Sequence, residues 1–155
     1  MVTTLRDEIR QRKPFTSLEQ EAHLNVVRTA ALLTDDIEQL LKPHGITATQ
    51  YNVLRILRGA EAEGMCRNEV RDRMLTRMPD MTRLLDRMEE AGWVTRSREH
   101  EDRRMVMTTI TPAGRRLLEK LDDVVIERHK HRFRRLDEKQ LRALIDLLTS
   151  VRQKE

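Results

Sequence analysis

The residues that decide the fold are 76–110, which read TRMPDMTRLLDRMEEAGWVTRSREHEDRRMVMTTI. In the first half of this stretch, apolar side chains recur at the i, i+3, i+4, i+7 spacing of a helix that buries one face. They are Met81, Leu84, Leu85 and Met88. At 100° per residue the opposite face is polar apart from one proline. It carries Pro79, Asp80, Thr82, Arg83, Asp86 and Arg87. The sequence therefore predicts an amphipathic helix with a charged outer face.

The second half of the stretch predicts a β-hairpin. Gly92 takes the place just past the helix, where glycine often adopts the left-handed conformation that ends a helix. Two segments rich in Val, Thr, Met and Ile follow, over about 93–98 and 104–110, and the charged tip 99–103 separates them. A helix closed by glycine and followed by an arginine-tipped hairpin is the layout of a winged helix-turn-helix. In that layout the helix lies in the DNA major groove, and the wing reaches phosphate or the minor groove.

Helix start signals flank this segment on both sides. Capping boxes at Ser17/Gln20 and Thr47/Gln50 predict helices over about 18–41 and 48–60. A short helix near 67–74 follows the Gly64 turn, with Cys66 as a poor cap. Further starts are marked by Thr111-Pro112 and by Asp137/Gln140. The predicted fold is mainly α-helical with a small β-hairpin wing.

A chain of 155 residues supports a single domain, 1–155, with a core of its own. Only 38% of the residues are apolar and 36% are charged. Helices with narrow apolar stripes, and a subunit interface that buries further apolar surface, would fit this composition. We assign 47–110 to a winged helix-turn-helix DNA-binding lobe, and 17–42 and 112–153 to dimerisation helices. The alternative is that the end helices fold back on their own lobe. Residues 1–16 read as a polar arm, either loose or docked on a partner subunit.

The charge balance points weakly towards polyanions. Lys and Arg number 30 against 26 acidic residues, a formal net charge of +4, and the isoelectric point is about 9.6. Every cation from Arg67 through Arg116 is arginine, whose planar fork suits phosphate and guanine edges. A genome rich in G and C would also raise the arginine content, so two explanations stay open.

Several function classes lack support. One cysteine excludes an internal disulfide framework, and no apolar run approaches membrane-spanning length. We therefore expect a cytoplasmic protein without membrane contact. A Gly-rich phosphate loop and a nucleophile elbow are both missing, so neither an enzyme nor a cofactor is predicted. His129 and His131 point about 200° apart on one helix, so they cannot chelate one metal together, and no metal site is predicted.

The segments around the predicted wing resemble the MarR family of bacterial transcriptional regulators. The motifs that carry this resemblance are TATQYNVLRIL (47–57), MTRLLDRMEEAGWVTR (81–96) and EDRRMVMTTITPAG (101–114). The resemblance implies an obligate homodimer on double-stranded DNA with a pseudo-palindromic operator. It also implies a repressor that a small ligand or oxidation releases. Known peroxide-sensing members carry their cysteine in the first helix, so position 66 favours a plain small residue over a redox sensor.

The resemblance also implies which residues contact DNA. Base-reading positions in the first turns of the recognition helix would be Met78, Pro79, Thr82 and Arg83, with Arg87 nearer the backbone. At the wing, Asp102 would orient an arginine while Arg103 or Arg104 enters the minor groove. Arg96 and Arg98 complete the predicted DNA-binding set. The sequence departs from the family pattern at Met78, Pro79 and Asp80, where small Ser or Thr residues are common. Because an acid facing phosphate is unfavourable at close range, we expect Asp80 to cap the helix start or to accept from cytosine N4.

An effector pocket is implied between the dimerisation helices and the DNA-binding lobe. Its candidate lining residues are His23, Val27, Arg28, Tyr51 and Trp93, although Tyr51 and Trp93 suit the core equally well. A pocket with Arg28 and His23 would take a small anionic aromatic or a phenolic acid. The alternative function is a helical dimer whose winged helix docks a protein partner. The arginines at 83, 87, 103 and 104 and the 3% content of aromatic residues argue against that alternative.

Overall fold

The structure of the chain is a computed structural model that describes residues 3–60, 62–98 and 105–153. The chain divides into two compact units, Met1–Thr49 and Gln50–Glu155. The helices are α1 (Leu5–Glu8), α2 (Leu18–Leu41), α3 (Ala48–Arg58), α4 (Arg67–Asp72), α5 (Met81–Glu90), α6 (Pro112–Phe133) and α7 (Glu138–Arg152). The strands are β1 (Met65–Cys66), β2 (Val94–Ser97) and β3 (Met107–Ile110).

The first unit is built around α2, whose bounds match those predicted from the sequence. The hydroxyl of Ser17 accepts a hydrogen bond from the backbone N–H of Gln20 at 3.2 Å, as the predicted cap requires. The side chain of Gln20 reaches back to Thr16 N at 2.7 Å, one residue further than in a standard capping box. A 3-10 turn and Gly45, with φ of +70°, end the helix. Within the arm predicted for 1–16, α1 forms and buries Leu5.

The second unit contains a small antiparallel sheet of three strands within the described residues, in the order β1-β3-β2. The predicted hairpin is present, with Val94 paired to Ile110 and Ser97 to Met107. The sequence did not predict β1, which pairs Met65 with Thr108. A two-residue strand is too short to show an alternating pattern, so only its pairing partner defines it.

The apolar stripe predicted for α5 forms part of the core of this unit. Met81, Leu84, Leu85 and Met88 are all buried. Buried side chains also come from α3 and α6, namely Val53, Leu54, Leu57, Leu118, Leu121 and Val125. The recognition helix therefore has an apolar face held in the core, which leaves its polar face outward.

Glycine is required where β1 begins. Gly64 has φ of +79°, and a side chain there would overlap the carbonyl oxygen of Thr108 and approach Thr109 Cγ2 to 2.6 Å. The close approach lets the short strand β1 pair with β3. Glycine is therefore favoured at position 64 for two reasons, the positive φ and the lack of room for a side chain beside Thr108.

The last helix has an apolar seam that the single chain leaves open. All 15 residues of α7 are described, and none of them is buried. Ile145, Leu147 and Val151 expose 61%, 67% and 78% of their surface. Apolar surface of this extent on one helix marks a candidate interface with another protein surface. Within the described residues, no helix has both the length and the apolar character needed to cross a membrane.

A bidentate ion pair joins α3 to α6. Arg58 donates from Nη1 and Nη2 to the two carboxylate oxygens of Asp122 at 2.6 and 3.0 Å. These hydrogen bonds lower the pKa of Asp122 below its ordinary value of 3.8 and raise the pKa of Arg58. Both side chains keep about a third of their surface exposed, so solvent screens the pair in part.

The pair predicts an acid-dependent loss of stability. Because the pKa of Asp122 is lower in the folded than in the unfolded chain, its contribution is present above pH 3.8 and is lost as the pH falls through the lower folded value. We expect Asp122→Asn to remove about 1 kcal/mol at neutral pH and less in acid. Urea unfolding of both proteins between pH 7 and 3 measures this difference in the free energy of unfolding. Glu138→Gln, which breaks a largely exposed ion pair with Arg142, is the control. If the free energy of unfolding depends on pH in the same way for Asp122→Asn and wild type, the pair with Arg58 does not cause the loss of stability in acid.

Candidate DNA interface

The outer face of α5 begins with an acid that caps the helix. The carboxylate of Asp80 accepts from the backbone N–H of Arg83 at 3.0 Å and lies 3.5 Å from Arg83 Nε. The helix starts at Met81, so Met78 and Pro79 precede it. The prediction that both lie in its first turns is wrong, because Asp80 supplies the cap and proline has no N–H to donate.

Thr82, Arg83 and Arg87 are exposed on the outer face of α5. The hydroxyl of Thr82 is already engaged, since Arg67 Nη1 donates to it at 2.9 Å. Arg67 is the first residue of α4, so this hydrogen bond connects the two helices of the helix-turn-helix. The sequence analysis missed Arg67, because the bond depends on how α4 packs against α5.

Arg96 in β2 occupies a different environment from the other predicted DNA-binding arginines. Its Nη2 lies 2.6 Å from Asp86 Oδ1 and 2.7 Å from Glu89 Oε2, and its backbone N–H donates to Glu89 at 3.0 Å. The side chain is only 24% exposed. The hydrogen bonds that Arg96 donates lower the pKa of Glu89, and those that it donates to Glu89 and then to Asp86 raise its own pKa. Arg96 therefore ties the wing to the recognition helix, with its charge offset by two carboxylates.

The arginines at 96 and 98 are expected to behave differently on DNA. Arg98 is exposed and directly follows β2. If it contacts a phosphate, Arg98→Met should reduce the slope of log affinity against log salt by about 1. Arg96→Met should weaken binding by loosening the wing and leave that slope unchanged. Anisotropy titrations over a salt series measure both. A reduced slope for Arg96→Met would show that Arg96 itself releases counterions.

Comparisons with known proteins agree with this geometry. The family model described as MarR family matches residues 46–106. The chain is 34% identical over 136 residues to the HTH-type transcriptional regulator TtmR of Methylorubrum extorquens (strain PA1), covering 88% of this chain and 68% of that protein. This chain belongs to the MarR family.

Solved structures show the same relationship. The MarR transcription factor of Planctomyces limnophilus is 38% identical to this MarR-family chain, with a TM-score of 0.67 over 88% of this chain and 98% of its own. The MepR–DNA complex of S. aureus is 22% identical, with a TM-score of 0.76 over 89% and 97%, and it shows the shared fold. The protein is a DNA-binding transcriptional regulator of the MarR family and not an enzyme.

Other residues singled out from the sequence of this MarR-family protein lie at the wing tip and at the start of α4. Asp102, Arg103 and Arg104 at the wing tip lie outside the described residues. At the start of α4, Glu69 accepts from the backbone N–H of Cys66 at 2.8 Å, which is the bond that the acid makes in a capping box, so Glu69 satisfies the N–H of the cap residue itself. No group of three or more His, Cys, Asp or Glu in the part of the chain that the structure describes could hold a metal ion.

The predicted effector residues fall in both units. His23, Val27 and Arg28 lie on α2 and are exposed, with Arg28 Nε 3.7 Å from Glu8. Tyr51 in α3 is buried, and burial raises the pKa of its hydroxyl. Within the second unit, a cavity of about 440 Å³ is lined by Arg67, Thr82 and Arg96 among others, and by neither Tyr51 nor Trp93. The effector pocket stays a prediction.

Proposed function

We propose that the protein is a dimeric, sequence-specific repressor that binds a pseudo-palindromic operator and is released by a small-molecule effector. The observation that carries this proposal is the arrangement of α5. Its apolar face is buried, its first turn is capped by Asp80, and Thr82, Arg83 and Arg87 are exposed on the side that faces away from the core. Such a helix can enter a major groove without losing its packing.

The side chains divide between base reading and phosphate binding. Thr82 and Arg83 stand in the first turn of α5, where a recognition helix meets base edges. A bidentate contact by Arg83 would add about 1–3 kcal/mol of discrimination, and a single hydrogen bond by Thr82 about 0.5–1.5 kcal/mol. Arg87 lies one turn further along and would contact the backbone. Met78 and Pro79, just before the helix, are placed to touch the groove edge with apolar atoms. Asp102 would orient Arg103 or Arg104 towards the minor groove.

The assembly that we propose is a homodimer formed by the helices in 17–42 and 112–153. The exposed side chains of Ile145 and Val151 on α7 support it, because a second copy would cover them. Two recognition helices would then reach major grooves about 34 Å apart on one face of the duplex. We place this dimer in the cytoplasm, where the operator is.

The effector that we propose is a small anionic aromatic or phenolic acid. His23, Val27, Arg28, Tyr51 and Trp93 are its candidate contacts, with Arg28 and His23 facing the carboxylate. Such a ligand releases the operator only if it binds the DNA-incompetent dimer more tightly than the competent one.

Fluorescence anisotropy tests the proposal, with the DNA upstream of the gene and a scrambled duplex at two salt concentrations. We expect tight, salt-sensitive binding that prefers the upstream DNA. Arg83→Ala should lose most of that preference, about 10-fold or more. Arg71→Ala, which removes an exposed arginine of α4 that pairs with Asp72, is the matched control and should retain it. Weak binding that ignores sequence in all three proteins would refute the proposal. A pull-down would then test the protein-docking alternative.

A further inference from the structure

Arg67 and Thr82 form a hydrogen bond that connects α4 to the recognition helix. Nη1 of Arg67 donates to the hydroxyl oxygen of Thr82 at 2.9 Å, and both residues are exposed. Arg67 is the first residue of α4, and Thr82 is the second residue of α5. The contact therefore lies where the recognition helix would meet the base edges.

We propose that Arg67 determines operator specificity by making Thr82 a hydrogen-bond donor to DNA. A threonine hydroxyl has one O–H donor and two acceptor lone pairs, and it rotates to suit its partners. The guanidinium occupies one lone pair and places a positive charge beside the oxygen. A second donor approaching that oxygen would meet this charge, whereas an acceptor approaching the O–H would not.

The consequence is a restricted base preference. In the major groove the acceptors are N7 and O6 of guanine, N7 of adenine and O4 of thymine, whereas the amino groups of cytosine and adenine are donors. With Arg67 in place, the Thr82 hydroxyl donates a hydrogen bond to an acceptor atom on the edge of a base. Without Arg67, its hydroxyl can turn either way and discriminates less.

The pair also orients the reading group. Thr82 is β-branched, so only a few rotamers are open to it on a helix, and the hydrogen bond from α4 selects one of them. Arg67 acts through Thr82 and is a positioning residue. This inference rests on the proposed function, because it requires α5 to contact bases.

A base-preference measurement tests the inference. Randomised duplexes selected for binding give the preferred operator of the wild-type protein. The affinities of wild type, Thr82→Val, Arg67→Met and the double variant are then measured on duplexes carrying each base pair at every operator position. Arg71→Met is the matched control, since Arg71 lies on the same helix and pairs with its neighbour Asp72. Thermal unfolding of each variant confirms that it is folded.

Thr82→Val should lose about 3- to 10-fold of discrimination at one base pair, the value of one hydrogen bond. Arg67→Met should lose discrimination at that same pair, and the double variant should lose no more than Thr82→Val alone. Arg71→Met should keep the wild-type discrimination at that base pair. At that pair, 7-deazapurine, 6-thioguanine or 4-thiothymine should weaken binding by wild type and not by Thr82→Val.

The contrary results are distinct from one another. If Arg67→Met weakens all duplexes evenly and reduces the salt dependence, Arg67 is a phosphate contact and the inference is overturned. The same holds if Arg67→Met leaves the base preference intact. If removal of an exocyclic amino group at that base pair weakens binding by wild type alone, Thr82 accepts and does not donate. If selection yields no preferred operator for wild type, the proposed function itself fails.

Discussion

Replacing Gly64 by alanine is expected to lower the free energy of unfolding by about 2–5 kcal/mol. Two effects add. An alanine at φ of +79° is strained by about 1–2 kcal/mol. Its Cβ would also overlap the carbonyl oxygen of Thr108, so β1 must move away from β3, and forced backbone shifts of this kind cost about 1–3 kcal/mol. The loss is large against a total stability of about 5–15 kcal/mol.

Gly92 provides the matched control. Its φ is +76°, and a Cβ there meets no atom within 4 Å. Gly92→Ala should therefore show the conformational strain alone, about 1–2 kcal/mol. Urea unfolding followed by circular dichroism measures both variants. If they lose equal stability, the close approach of Gly64 to Thr108 contributes nothing.

A second large effect is expected from charges on the α7 seam. The double variant Ile145→Asp, Val151→Asp places two carboxylates on surface that the single chain leaves 61% and 78% exposed. If this surface is the dimer interface, burying two unpaired charges there prevents association. A monomer engages one half-site only, so operator affinity should fall by about 100- to 10,000-fold. Sedimentation velocity gives the oligomeric state, and anisotropy gives the affinity.

Leu75→Asp is the control for the seam. Leu75 is 84% exposed in the single chain and lies between α4 and α5, outside the predicted dimerisation helices. The control should leave the sedimentation coefficient unchanged. A seam variant that still sediments as a dimer would contradict the assignment of α7 to the interface. Unchanged secondary structure, seen by circular dichroism, is expected for both variants because none of the three side chains is buried within the single chain.

The sequence by itself determined the helices, because their signals are local. Ser17 predicts the start of α2, and the i, i+3, i+4, i+7 stripe predicts which side of α5 is buried. Gly92, with its positive φ, ends the recognition helix as predicted. Each signal acts within a short stretch of the chain and needs no distant partner. The motifs of the wing and of the following helix start were enough to indicate the family.

The sequence predicted the ends of helices less accurately than their interiors. The sequence placed Met78 and Pro79 inside α5, yet Asp80 caps the helix and it begins at Met81. The side chain of Asp80 had two open interpretations, a cap or a base contact, because a carboxylate suits either. The hydrogen bond to Arg83 N resolves its role in the folded chain.

The tertiary structure decided how the charged residues are used. Arg96 and Arg98 are two residues apart in the sequence, but only Arg96 reaches Asp86 and Glu89 of α5. Arg67 meets Thr82 across 15 residues, and Arg58 meets Asp122 across 64. Strand β1 exists only through its pairing with β3. Long-range contacts of this kind depend on how elements pack, whereas propensity and periodicity describe each element alone, so arginines that look equivalent in sequence acquire different roles on folding.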